Sequence, residues 1–70
     1  MAIYQFKSNI NCNNCKMSVS RFLENREDII MWEVDLEDKD KILTVETKGT
    51  PEDLIELIKT AGYQAELIPD

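Results

Sequence analysis

A two-layer α+β sandwich with the element order βαββαβ follows from three features of this 70-residue chain. Four stretches alternate apolar and polar residues with a period of two, as strands do. Two others carry apolar residues at helical spacing. Each helical stretch has one apolar stripe only, so both helices are expected to lie on one face of a single antiparallel sheet.

The first strand covers Ile3 to Ile10. Tyr4, Phe6, Ser8 and Ile10 share one face; Gln5, Lys7 and Asn9 share the other. Asn11 to Asn14 is a polar break. From Cys15 the spacing turns helical, with Cys15, Val19, Phe22 and Leu23 at i, i+4, i+7 and i+8. Asn25 to Asp28 ends this helix. Ile30 to Leu36 alternates again, with Trp32, Val34 and Leu36 facing the core and Met31, Glu33 and Asp35 facing out. Glu37-Asp38-Lys39-Asp40-Lys41 reads as a hairpin turn in water. Beyond it Leu43, Val45 and Thr47 alternate with Ile42, Thr44 and Glu46, completing an antiparallel hairpin.

The second helix has the clearest start. Thr50 can cap it, Pro51 suits the first helical position, and Glu52 and Asp53 suit the positive end. Leu54, Leu57, Ile58 and Ala61 form its stripe, and Gly62 ends it as a left-handed cap. A short last strand holds Ala65 and Leu67, with Tyr63 at its entrance, and closes at Pro69. The outer sheet face then carries Gln5, Lys7, Glu33, Asp35, Thr44 and Glu46, polar as a water-facing sheet requires. This is the ferredoxin-like arrangement. A chain this short buries only ~60% of its unfolded surface. It reads as a single domain over residues 1–70.

Composition excludes several classes. With 14 acidic and 8 basic residues the net charge is −6. A nucleic-acid binder needs a basic face, and an anionic membrane attracts one. No apolar run is long enough to span a bilayer. Met1-Ala2-Ile3-Tyr4-Gln5-Phe6-Lys7 lacks the basic start and long apolar run of a secretory signal. Met1 reads as the initiator, and a cytoplasmic protein is expected. In a reducing compartment a close cysteine pair is a metal or redox site before it is a structural disulfide.

Cys12 and Cys15 are the only cysteines, and the chain has no histidine. They fall where the strand pattern gives way to the helix pattern. Thiolates bind metals, and a helix N-terminus favours the thiolate. Two soft ligands suit Cu(I). Structural zinc takes four ligands, and only two soft ones exist here. A thioredoxin-like redox pair has the same spacing, but that family's flanking aromatic and proline residues are absent. Trp32 reads as core, and Met17 and Met31 as surface residues off the apolar stripes.

The element order, the cysteines in the first loop and the Gly62-Tyr63 turn before the last strand resemble a heavy-metal-associated domain, over nearly the whole chain. That family includes small copper chaperones and the metal-binding modules of copper-transporting ATPases. Its usual motif is Met-x-Cys-x-x-Cys; here it reads Ile10-Asn11-Cys12-Asn13-Asn14-Cys15, with isoleucine in the methionine's place and two asparagines between the cysteines. The resemblance implies Cys12 and Cys15 as metal ligands. It also implies that an apolar residue at position 10 packs beneath the loop without ligating.

Three neighbours are candidates for tuning the site. Family members that handle zinc, cadmium or lead often carry aspartate before the first cysteine. Asn11, with a weakly donating amide oxygen, tilts the choice toward Cu(I); it serves equally as an ordinary turn residue. Lys16 adds positive charge near the thiolates, or is simply an exposed helix lysine. Tyr63 occupies a position where bacterial copper chaperones often carry tyrosine; its phenol can shield the ion, hydrogen-bond a sulfur, or only cover the end of the sheet.

The expectation is a non-enzymatic Cu(I) carrier that hands its ion to a metal-transporting P-type ATPase or its metal-binding domains by thiolate exchange. It binds no nucleic acid and inserts into no membrane, and it acts as a monomer or as a dimer bridged by one ion. Alternatives are a thiol–disulfide redox protein, a binder of Zn(II) or another soft metal, and an interaction module without a metal.

Overall fold

The computed structural model describes residues 2–69; Met1, read as the initiator, lies outside them. The elements run β1 (Ala2–Ser8), α1 (Asn13–Glu24), β2 (Ile29–Val34), β3 (Leu43–Thr47), α2 (Pro51–Thr60) and β4 (Ala65–Leu67). The four described strands form one antiparallel sheet in the order β2-β3-β1-β4. With two helices, this is the ferredoxin-like βαββαβ sandwich.

The core is the set of residues that the two periodicities bring to one plane. Phe6, Ile10, Val19, Leu23, Val34, Leu43, Val45, Leu54 and Ile58 are all buried. Each such side chain contributes roughly 1.5–3 kcal/mol when taken out of water. Thr47 is also buried, with its hydroxyl donating to Asp28 O and accepting from Gly49 N–H, both at 3.0 Å. A polar group so paired is tolerated in a core. The outer face carries Gln5, Lys7 and Glu33 exposed and Thr44 and Glu46 half-buried, as expected.

Helix α2 follows its sequence signals closely. The Thr50 hydroxyl accepts from Asp53 N–H at 3.3 Å, and Pro51 opens the first turn. At the other end Gly62 takes φ 94. Its N–H donates to Lys59 O, and the N–H of Tyr63 donates to Ile58 O, both at 3.0 Å. This is a Schellman stop, with Tyr63 packed back on the core that contains Ile58.

Several boundaries differ from expectation. Strand β1 ends at Ser8, yet Ile10 stays buried beyond it. Helix α1 starts at Asn13 because Cys12 caps it, so Asn13 and Asn14 are helical. Strand β2 starts at Ile29; a bulge at Ile30 separates the pairs Ile29–Thr47 and Met31–Glu46 and leaves Ile30 exposed. It stops at Val34 because Asp35 Oδ1 accepts from Glu37 N–H at 3.1 Å and turns the chain. Trp32 is half-buried, packed against the core from the edge strand. Tyr63 lies in the turn before β4.

The charged segment after β2 is also more than a solvated turn. Asp40 O accepts from Ser8 N–H at 3.0 Å, and Lys41 O accepts from the Ser8 hydroxyl at 2.5 Å. The loop therefore docks on the end of β1, where the chain enters the cysteine segment. At the opposite end of the sandwich Arg26 pairs with Asp28 and Asp53, tying the exit of α1 to the first turn of α2.

Candidate metal centre

Cys12 has extended backbone (φ −153, ψ 166) and is the N-cap of α1. Its sulfur accepts from Cys15 N–H at 3.3 Å, and its carbonyl accepts from Lys16 N–H at 3.0 Å. The cap thus folds the Cys-x-x-Cys segment into the first turn of the helix. The spacing of three brings the two sulfurs to 2.8 Å. Both thiols are free; Cys12 is exposed and Cys15 half-buried against the core.

The sulfurs sit at the positive end of α1, which has no acidic residue in its first turn to compete for that field. Cys15 is held below its ordinary thiol pKa. The main cause is the Cys12 side chain, which hydrogen-bonds the Cys15 sulfur; the Tyr63 phenol is next. Backbone groups at Asn11 and Cys12 add to the effect, and burial opposes it. The Tyr63 phenol is raised in turn, chiefly by the Cys15 side chain. A neutral phenol beside a thiolate accounts for both directions.

The candidate residues separate into two groups. Asn11 and Tyr63 join the cysteines: Asn11 Oδ1 stands 3.7 Å from the Cys15 sulfur, and the phenol acts on that same sulfur. Lys16 turns elsewhere. Its ammonium lies 6.0 Å from the centre of the Trp32 ring. Among the described residues, no group of three or more His, Cys, Asp or Glu side chains gathers in a way that could hold an ion. The arrangement therefore offers one exposed and one half-buried sulfur with a weak oxygen neighbour, which is a soft, open donor set.

Two contributors escaped the sequence reading. Asn9 Oδ1 accepts from Gln64 N–H at 2.8 Å, bridging the exit of β1 to the Tyr63 turn. Ser18, one turn along α1 from the cysteines, works on the Tyr63 phenol in the opposite direction to Cys15, lowering it. Neither departs from the polar residues expected at a strand end or a helix surface, so no sequence signal set them apart.

No helix of the described residues is long and apolar enough to cross a membrane. No curated protein matches the chain. Solved structures do. A copper-binding domain from HMA7, a P-type ATPase, is 26% identical, with a TM-score of 0.85 over 99% of this chain and 96% of that one. The first domain of the human copper chaperone for SOD1, in its copper(I)-loaded form, is 26% identical, with a TM-score of 0.81 over 93% of this chain and 89% of that one. The N-terminal domain of PacS from Synechocystis PCC6803, at 18% identity and a TM-score of 0.84, covers 99% of this chain and 100% of that one and shares the fold. The profile of the heavy-metal-associated domain matches residues 5–64, so this chain belongs to the heavy-metal-associated domain family.

Proposed function

We propose that this protein, as one domain over its 70 residues, carries Cu(I) between Cys12 and Cys15 and passes it on by thiolate exchange. The observation that carries the reading is the pair of free sulfurs 2.8 Å apart at the exposed N-cap of α1. Two sulfurs each about 2.3 Å from one ion stand roughly 3.8–4.6 Å apart, from tetrahedral to linear, taking the zinc–sulfur bond as a guide. A Cys-x-x-Cys pair on the first helical turn can span that distance, with Cys12 exposed at the end of its loop.

Transfer needs no catalytic group. A partner thiolate joins the exposed ion, a three-coordinate intermediate forms, and one of the two original sulfurs leaves. The partner proposed is a metal-transporting P-type ATPase or its metal-binding domains, a reading supported by the two copper-related structures at 26% identity. Asn11, which brings an amide rather than a carboxylate oxygen to the sulfurs, supports Cu(I) over Zn(II).

A competition titration of the reduced protein with Cu(I) and Zn(II) tests the reading. One Cu(I) per chain, preferred over zinc, is expected, and Cys15→Ser removes tight binding. Equal or tighter zinc binding, or wild-type Cu(I) affinity in the serine variant, overturns it.

The 2.8 Å separation also favours a second reading, a dithiol that cycles to a disulfide. Turnover in an insulin-reduction assay with weak Cu(I) binding would select it.

A further inference from the structure

We propose that the outer face of the sheet, opposite the helices, docks a partner protein presenting a basic segment that also carries apolar side chains. Ile3 and Met31 seat the apolar part, and the carboxylates of the same face take the lysines or arginines. The surface lies apart from the sulfurs and needs no bound ion.

Strand alternation predicts a polar outer face, and one end of that face is not polar. Among the described residues four large apolar side chains are exposed, and three of them, Ile3, Ile30 and Met31, lie at the same end of the sheet. The register puts two of these on one row. Ile3 pairs with Glu46 across β1 and β3, and Met31 pairs with Glu46 across β2 and β3. Glu46 stands between the buried Val45 and Thr47, so the row points away from the core. Ile3 is 63% exposed and Met31 57%. Two strand spacings separate them, about 10 Å, with the half-buried Glu46 between. An exposed apolar patch rimmed by polar groups marks an interaction surface, and methionine is enriched at such surfaces.

Charge names the occupant. The next row toward the cysteine end is Gln5–Thr44–Glu33, in which Gln5 Nε2 donates to Thr44 Oγ1 at 3.4 Å. From this row opens a cleft of about 470 Å³, lined by Gln5, Glu33, Asp35, Asp38, Ile42 and Thr44 among others. Among the described residues no lysine or arginine forms an ion pair with Glu33, Asp35, Asp38 or Glu46. Lys7, a base on this face, stands opposite Glu66 in the β1–β4 ladder, so the other carboxylates stay uncompensated. Two copies meeting through this face would set carboxylate against carboxylate, which disfavours a dimer, and an anionic membrane has the same wrong sign. Lysines or arginines around apolar side chains complement both parts of the face.

The test titrates reduced, metal-free, isotope-labelled protein with an amphipathic lysine–leucine peptide. A lysine–serine and a glutamate–leucine peptide are the controls. NMR shift changes locate the site, and calorimetry gives the affinity. The lysine–leucine peptide alone is expected to bind, with shifts centred on Ile3, Met31, Glu33 and Glu46 and none at the cysteine loop. Ile3→Thr with Met31→Thr replaces two exposed side chains by one that suits a strand, and its thermal midpoint checks that the fold is kept. It should weaken binding by about tenfold or more, because both apolar contacts are lost. Glu33→Gln with Glu46→Gln should weaken it about two- to tenfold at low salt and remove most of the salt dependence. No binding, equal binding of a control peptide, shifts centred on α1 or the cysteine loop, or wild-type affinity in the threonine variant overturns the proposal. So does self-association of the wild-type chain that the threonine variant abolishes, which would make the occupant a second copy. Partition onto phosphatidylcholine vesicles, lost in the same variant, would make it a lipid surface and overturns the proposal as well.

Discussion

The sulfur of Cys12 accepts a hydrogen bond from the backbone N–H of Cys15, so one residue both caps helix α1 and faces the second thiol. The two roles can be separated. Serine is a strong N-cap and a poor ligand for a soft ion; alanine is neither. Cys12→Ser is expected to keep the thermal midpoint of the wild type and lose tight Cu(I) binding. Cys12→Ala is expected to lose binding too, and about 1 kcal/mol of stability with it. In a domain of this size that lowers the midpoint by roughly 4–8 °C. Thermal scans of the two metal-free variants check this; equal midpoints would show that the sulfur does not cap.

Cys15 ionises more readily in the folded chain than in the unfolded one. Its folded-state pKa is depressed, so the associated stabilisation is present above the ordinary thiol pKa. It is lost as pH falls through the lowered value. Alkylation of Cys15, followed by peptide mapping, should therefore reach its plateau at lower pH in native protein than in urea. Replacing Cys12 by alanine should move the native midpoint upward, and Tyr63→Phe should move it upward by less, because Cys12 is the larger cause. A native midpoint equal to that in urea would contradict the geometry.

Much of this architecture was readable from periodicity, and the departures share a cause. Thr50, Pro51 and Gly62 carry local backbone chemistry, and α2 begins and ends on them as expected. Cys12 as a cap, Asn9 as a bridge and Ser8 as an anchor depend on partners 3, 55 and 33 residues away. The two distant partnerships leave no mark in local spacing. Lys16 illustrates the same limit. Its charge and its place beside Cys15 suggested a role at the sulfurs, but the half-buried Trp32 of β2 offers its ammonium a π face. Tyr63 was readable because the Schellman stop fixes its place relative to Gly62.

Arg26 is bound through Nε and Nη2 to the Asp28 carboxylate and through Nη2 to Asp53. These groups are about a third to half exposed, so solvent screening holds the network to roughly 1 kcal/mol. Arg26→Ala should lower the midpoint by a few degrees at low salt and by less at high salt, leaving Cu(I) affinity unchanged. Gly49 supplies an independent route to the same network. A Cβ there would meet Asp28 Oδ2 at 2.7 Å. Gly49→Ala should push the carboxylate off Arg26 and cost a similar amount. Stability losses that add in the double variant, rather than overlapping, would show that Gly49 acts through something else.

Ile10 tests whether the motif's departure from methionine matters. It is fully buried, two residues before Cys12, and packs into the core without reaching for the sulfurs. Methionine has nearly the same volume and a more flexible chain, so Ile10→Met should change stability by less than about 1.5 kcal/mol. It should leave Cu(I) stoichiometry at one per chain. Ile10→Ala opens a cavity under the loop, and a loss of about 2–5 kcal/mol is expected. The loop then loses its anchor, so weaker Cu(I) binding should accompany the lower midpoint even at temperatures where the fold persists. Denaturant unfolding alongside chelator competition on the three proteins decides the matter. Wild-type affinity in a folded Ile10→Ala protein would mean that the N-cap alone holds the cysteines in place. A Met variant that binds a second equivalent of Cu(I) would mean that residue 10 can reach the site, against its burial in the core.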